Sequence, residues 1–275
     1  MSVSPSLWRP PLRLVDLETP GLAPPAAARL VERALAREPG AVLVRPSPTT
    51  RAVLAELPRG VPVLAVVPDM AQLLRDVSER GPARAVLGRM AGGGVKAWWR
   101  LGVTGVRHVR GLAAQDFSGI VPVLIELERA GLERTNLVGV ALAAPLTDLL
   151  MAAGHVACLS HVVRFVRARL GTAAGFETHN LGHLLRRLEE WGAAADFVIG
   201  PFNRRGHRMK PSPASVRAAV RTATVPVIAA DVSADGTIPA EEAVGFARSH
   251  GAASVVLTVD DLAADEPAGY RAAPP

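Results

Sequence analysis

The hexapeptide GFETHN at 175–180 follows an apolar run and contains four consecutive polar side chains. Glu177 and His179 are two residues apart, so on an extended strand their side chains point to the same side. A carboxylate and an imidazole brought together in this way can act as general base and general acid. Two titratable groups at the end of a buried strand are costly without a role, which favours a catalytic interpretation. The alternative is that one of them faces the outer helix and only caps its start.

A second polar stretch, PFNRRGHRMKPS at 201–212, concentrates basic side chains in one predicted loop. Arginine binds carboxylate or phosphate in bidentate fashion, and a helix beginning after Ser212 would add backbone amide donors. The stretch therefore predicts a binding site for an anionic metabolite, although a solvated loop that contacts nothing is the alternative. Lys210 could also form a Schiff base, because neighbouring cations favour the neutral, nucleophilic amine.

Further candidates follow other predicted strands, where Arg45 comes after AVLV and Asp231 after VPVIAA. A metal site built from Glu177, His179 and Asp231, together with His161, is chemically feasible. No spacing is diagnostic of such a site, and we predict none. The predicted catalytic residues are Glu177, His179, Asp231 and Lys210, and the predicted substrate-binding residues are Arg45, Asn180, Asn203, Arg204, Arg205 and His207.

These candidates require a scaffold that gathers strand ends in one place. Short runs rich in Val, Ile, Leu and Ala recur along the chain, and they are continuous rather than alternating, as in strands of a parallel sheet buried on both faces. ARAVLG (83–88) and GVRHVRG (105–111) compete for one further strand, and LRLVDLET (12–19) is either a first strand or a hairpin at the barrel bottom. The clearest runs are AVLVRP (41–46), VPVLAVVP (61–68), NLVGVAL (136–142), AAGFETHN (173–180), DFVIGPFN (196–203), VPVIAADV (225–232) and ASVVLTVD (253–260).

Helical patterns lie between these runs. The Leu-rich stretch after Asn180 has one apolar stripe, with Asn180 placed as N-cap, and residues 153–171 are either strand-like or helical. Strand and helix alternating through about eight units predict a (β/α)8 barrel, the TIM-barrel fold. An open doubly wound sheet is the second choice, but no G-x-G-x-x-G turn supports it. We expect one domain over 1–275, in which 1–35 is an extension or the first strand and helix and 262–275 is a flexible tail.

The composition limits the class of protein. The chain has 275 residues, of which 49% are hydrophobic, and one cysteine, which excludes a disulfide framework and a multi-cysteine zinc site. The net charge of +6 comes from scattered arginines rather than from a run, so we expect a small anionic metabolite as partner and no nucleic acid. Without an apolar signal core or a membrane-length apolar run, we expect a cytoplasmic protein that binds no membrane. The sequence leaves open whether the protein forms a homo-oligomer.

From about 175 to 258 the chain resembles the C-terminal half of an aldo-keto-reductase-type barrel. The resemblance rests on GFETHN before a Leu-rich helix, on DFVIGPFN with its Pro-Phe-Asn turn, and on VPVIAADVSADGTIPAEEAVGFARSHGAASVVL. A related group of aldolase-type barrel proteins is similar in its Thr-His-Asn and Pro-Phe-Asn turns. The resemblance implies the barrel fold.

The reductase tetrad of Tyr, Lys, His and Asp that the resemblance implies is not matched, since the only tyrosine is Tyr270 in the tail. Ala230 stands where the family's nicotinamide-stacking aromatic would fall, and Ile199 where its carboxamide-binding glutamine would. From Glu177 and His179 as proton-transferring residues we expect acid–base chemistry next to a carbonyl, as in a lyase, an aldolase-like enzyme or an isomerase. The sequence specifies no cofactor. An NADPH-dependent reductase with a non-standard site and a non-catalytic binding or scaffold barrel are the alternatives.

Overall fold

The structure, a computed structural model, describes residues 9–11, 13–18, 22–69, 117–129, 132 and 135–264, together with 75, 78 and 79. Eight parallel strands form a closed barrel in which each strand pairs with the next along the chain and the last pairs with the first. The strands are β1 Arg13–Asp16, β2 Ala41–Val44, β3 Pro62–Val67, β4 Asn136–Leu142, β5 Ala173–Glu177, β6 Phe197–Pro201, β7 Val227–Ala230 and β8 Ser254–Thr258.

Helices surround this sheet, and two of them begin with a serine capping box. Ser47 and Ser212 each accept a hydrogen bond from the backbone N–H three residues on, and each is followed by a proline in the first helical turn. None of the helices in the described ranges is long and apolar enough to cross a membrane. The helices are α1 Pro24–Arg37, α2 Pro48–Glu56, α3 Phe117–Arg129, α4 Ala144–Ala152, α5 Val156–Phe165 (extended by a π-helical turn, Val166–Leu170), α6 Leu181–Trp191, α7 Pro213–Thr222, α8 Ala240–Ser249 and α9 Val259–Ala264.

The predicted (β/α)8 barrel is confirmed, and two open choices in the strand assignment are resolved. The stretch 12–19 contains a true first strand, because β1 pairs in parallel with both β2 and β8, so the hairpin alternative is wrong. The stretch 153–171 is helical. β3 pairs directly with β4, and the two stretches that compete for a further strand, 83–88 and 105–111, lie outside the described residues. The predicted tail from 262 is helical as far as Ala264, and 265–275 also lie outside.

Alternate residues of each strand divide the core into two layers. Outward-facing side chains pack under the helices, and inward-facing ones fill the lumen. Phe197 is a large side chain in the lumen, and its ring packs against Gly175. A β-carbon added to Gly175 would lie only 2.4 Å from that ring. The other buried lumen residues are Leu14, Ala41, Leu43, Leu64, Val66, Ala141, Ala143, Ala173, Ile199, Ile228 and Val256.

Candidate active site

A cavity of about 490 Å³ opens at the carboxyl ends of the strands. Its floor is apolar and includes Leu43, Ile199 and Val256, the top of the packed lumen. Above this floor the inward-facing side chains are charged rather than apolar, and loops complete the wall. The charged and imidazole side chains that line the cavity are Asp16, Arg45, Glu177, His179, Arg208, Asp231, Asp235, Asp260 and Asp261.

Arg45 lies between two carboxylates at this mouth. Its Nη1 donates to Asp16 Oδ2 at 2.5 Å, and its Nη2 donates to Glu177 Oε1. The second oxygen of Glu177 accepts from the backbone N–H of Ala144, at 3.1 Å, in the first turn of α4. Both oxygens of Glu177 therefore accept a hydrogen bond, one from a guanidinium and one from a backbone amide.

The charge state of this group of residues follows from the same contacts. Burial alone lowers the pKa of Arg45, but the charges and hydrogen bonds of Asp16 and Glu177 outweigh it and hold that pKa above its ordinary value. Arg45 is therefore a fixed cation. Desolvation, and then the charge of Asp16, raise the pKa of Glu18 above its ordinary value, although Arg45 at 3.9 Å acts in the opposite sense.

His179 is held by a carboxylate from the neighbouring helix. Its backbone N–H donates to Asp148 Oδ2 at 3.1 Å, and its ring Nδ1 lies 3.3 Å from the same oxygen. Thr178 Oγ1 donates to the other oxygen, Oδ1. The imidazole is 63% exposed, whereas the Asp148 side chain is 19% exposed. An imidazole oriented through Nδ1 by a carboxylate leaves Nε2 to meet a ligand.

The loops after β6 and β7 form the opposite wall. Arg208 lies 3.5 Å from both Asp231 and Asp235, and His207 Nε2 lies 3.0 Å from Asp235 Oδ2. Arg208, Asp231, Ala234 and Asp235 all have positive φ, between 49° and 57°. A backbone conformation that L-residues seldom adopt, repeated four times in two contacting loops, indicates that the shape of this wall is over-determined by its surroundings.

Four of the predicted site residues line the cavity together: Arg45, Glu177, His179 and Asp231. Glu177 and His179 both line the cavity, although β5 ends at Glu177 and His179 lies beyond the strand. The two do not bond to each other, since Glu177 is bound by Arg45 and Ala144 and His179 by Asp148.

The remaining predicted residues do not line the cavity. Asn180 is in the N-cap position of α6 but makes no side-chain cap hydrogen bond. Asn203 is buried, and its amide binds the backbone of His207 and Asp231, so it joins two loops. The exposed residues Arg204, Arg205 and Lys210 lie on the loop surface, where Arg204 pairs with Glu242.

Several lining or supporting residues were not among the predicted ones. Asp16 is the last residue of β1. The sequence does show a carboxylate after apolar residues in 12–19, but it left that stretch open between a strand and a hairpin. Asp148 lies in the second turn of α4 rather than at a strand end, so the search along strand ends could not find it. Arg208 lies in the predicted loop 201–212 and Asp235 follows the predicted strand at 225–232, but their contact has no sequence signal.

The charge of the lining differs from that of the whole chain. Six carboxylates line the cavity, those of Asp16, Glu177, Asp231, Asp235, Asp260 and Asp261, against the guanidiniums of Arg45 and Arg208. The cavity is therefore acidic in a chain whose formal net charge is +6. Within the described ranges, no group of three or more His, Cys, Asp or Glu side chains is arranged to hold a metal ion.

Comparison of the chain with models of known protein families gives no match. Comparison with curated proteins gives no significant match either.

Proposed function

We propose that this barrel is an enzyme that moves a proton on the carbon next to a carbonyl group, in a lyase, aldolase-like or isomerase reaction. The observation that carries the proposal is the shared cavity. A carboxylate-held imidazole and a fixed guanidinium line the same space of about 490 Å³ at the carboxyl ends of the strands. Sites of TIM-barrel enzymes lie at this end.

In the proposed step, Nε2 of His179 accepts the proton from the carbon. The electron pair of the broken C–H bond moves toward the carbonyl and leaves a negative charge on its oxygen. The protonated imidazole then returns the proton to a neighbouring atom in an isomerisation, or to a leaving group in a cleavage. A positioned base of this kind contributes about 10²–10⁴-fold to the rate.

Arg45 supplies the charge that stabilises the developing oxyanion. Nη1 and Nη2 each use an N–H on Asp16 or Glu177, and a guanidinium has five N–H groups, so donors are left for the substrate. The two carboxylates and the Ala144 N–H keep the guanidinium fixed before the reaction, and this kind of preorganised donor is the most effective at stabilising charge in a transition state. In this proposal Glu177 positions Arg45 rather than carrying the proton.

The lining favours a substrate that is neutral or positively charged over a polyanion. Six carboxylates against two guanidiniums repel negative charge, and the arginines that suggested an anion, Arg204 and Arg205, lie outside the cavity. A hydroxy-carbonyl or amino-carbonyl compound therefore fits better than a phosphate ester.

The aldolase-type resemblance fits this chemistry better than the reductase-type one. Ala230 and Ile199 both line the cavity, and neither can stack on nicotinamide or bind its carboxamide. A scaffold barrel without a site needs no polar mouth and can fill it with apolar side chains, whereas this mouth is open and charged.

Deuterium exchange tests the proposed proton transfer without knowledge of the full reaction. The protein is incubated in D₂O with a panel of small hydroxy-carbonyl, amino-carbonyl and anionic carbonyl compounds, and loss of C–H signals is followed by ¹H NMR. We expect exchange next to the carbonyl in at least one compound, and a loss of about 100-fold or more with His179→Asn.

His250→Asn is the matched control, because His250 is an exposed histidine at the end of α8 that does not line the cavity. It should exchange as the wild type does. Absence of exchange with every compound, or equal exchange by His179→Asn, would contradict the proposal.

A further inference from the structure

Asp148 is an acidic side chain near the mouth that reaches the candidate site only through another residue. It lies on α4 and does not line the cavity. Its carboxylate nevertheless accepts from Thr178 Oγ1 and from the backbone N–H of His179, and it lies 3.3 Å from His179 Nδ1. All three contacts are with the two residues that directly follow β5.

Two of these contacts fix the carboxylate in front of the imidazole. The Thr178 hydroxyl occupies Oδ1, and the His179 backbone N–H occupies Oδ2, so rotation of the Asp148 side chain would break both bonds. Thr178 is itself buried, and its hydroxyl oxygen also accepts from the backbone N–H of Asn180. The carboxylate is thus held independently of the imidazole that it faces.

An ionised carboxylate can only accept hydrogen bonds, so the ring nitrogen that faces it is favoured in its protonated form. We infer that Asp148 is a positioning residue that selects the Nδ1–H form of neutral His179 and leaves the Nε2 lone pair free for a substrate proton. The catalytic meaning of this form rests on the proposed function, whereas the form itself is a property of the free protein.

A second imidazole near the mouth, within the described part of the chain, shows how the arrangement at His179 differs. His207 also faces a carboxylate, that of Asp235, but Asp235 is 56% exposed and also lies 3.5 Å from Arg208. The nitrogen of His207 that faces Asp235 is Nε2, and the backbone N–H of His207 binds Asn203 rather than that carboxylate. Asp148 is less exposed, accepts from the backbone N–H of His179 and lies 3.3 Å from Nδ1 of the same residue.

Nitrogen-15 NMR of the free protein at about pH 8, where most imidazoles are neutral, reads the protonated ring nitrogen directly. The chain has seven histidines, and the His179 signals are assigned by their loss in His179→Asn. We expect Nδ1–H to be the major form of His179 in the wild type, and Nε2–H to become the major form in Asp148→Ala. Nε2–H as the major form in the wild type would overturn the inference, and this result does not depend on the folding of any Asp148 variant.

Thr178→Val separates positioning of the ring from support of the turn. It removes the Thr178–Asp148 bond but leaves the Asp148–His179 contacts, so Nδ1–H should stay the major form. If Thr178→Val and Asp148→Ala shift the ring form equally, Asp148 only supports the turn and the inference fails.

The exchange assay then separates the inference from the proposed function. Asp148→Ala should lose about tenfold or more of any C–H exchange, a loss larger than that of Thr178→Val. If His179→Asn abolishes exchange but Asp148→Ala retains it fully, the positioning role is overturned while the proposed function stands. If the wild type shows no exchange, the proposed function fails, and the NMR result alone decides whether Asp148 sets the ring form.

Discussion

Arg45 joins two carboxylates that come from different strands of the barrel mouth. Asp16 belongs to β1 and Glu177 to β5, 132 positions from Arg45 along the chain. The sequence predicted both Arg45 and Glu177 as site residues, because each follows a buried strand. It could not predict that they bind each other, since that pairing depends on closure of the barrel. The contact between Asp148 and His179 was missed for a related reason, because Asp148 lies on a helix rather than at a strand end.

We expect Arg45→Met to lower the free energy of unfolding by about 2 kcal/mol, because the carboxylates of Asp16 and Glu177 lose the cation between them. This is below the ~3–5 kcal/mol typical of a fully buried pair, since 29% of the Arg45 side chain is exposed. The double variant with Glu177→Gln should lose less than the sum of the two single losses, by about 1 kcal/mol. Denaturant unfolding at neutral pH measures all three.

Arg204→Met is the control for this cycle. Arg204 pairs with Glu242, but their side chains are 65% and 45% exposed, so its removal should cost less than about 0.5 kcal/mol. Additivity of Arg45→Met and Glu177→Gln would show that the Arg45–Glu177 pair contributes nothing of its own.

Strand β5 connects the packed lumen to the candidate site. Gly175 accommodates Phe197 within the lumen, and two positions later Glu177 faces the same way into the cavity. The sequence predicted this strand well because a strand covered on both faces is continuously apolar. The same reasoning left 83–88 and 105–111 competing for one further strand, and both stretches lie outside the described residues. An apolar run alone does not show whether a segment pairs with its neighbours.

Gly175→Ala tests the packing of this strand. A β-carbon there would lie 2.4 Å from the Phe197 ring and 2.6 Å from its backbone oxygen, so we expect a loss of about 1–3 kcal/mol. Gly245→Ala is a matched control within α8, where an added β-carbon meets nothing within 4 Å. It should raise stability by about 0.5–1 kcal/mol through helix propensity. Thermal unfolding of the two variants should shift in opposite directions, and equal shifts would contradict the packing described for the lumen.

At the scale of the whole molecule, the described parts of the chain form one closed barrel with a charged mouth. Scattered arginines make the chain basic overall, yet the cavity lining is acidic. The apolar composition indicated the fold class, whereas the net charge of +6 describes the whole chain and not the lining of the cavity. Cavities also lie between outer helices in the described part of the chain, including one of about 600 Å³ between α6 and α7 and one of about 560 Å³ between α1 and α8.

The most direct test of the central claim is the position of a carbonyl compound bound to this protein, measured by crystallography of the complex with whichever compound shows C–H exchange. We expect the compound in the mouth cavity, with its oxygen in hydrogen-bond reach of Arg45 and the exchanging carbon facing Nε2 of His179. A compound seated between α6 and α7 or between α1 and α8, with the mouth empty, would contradict the account.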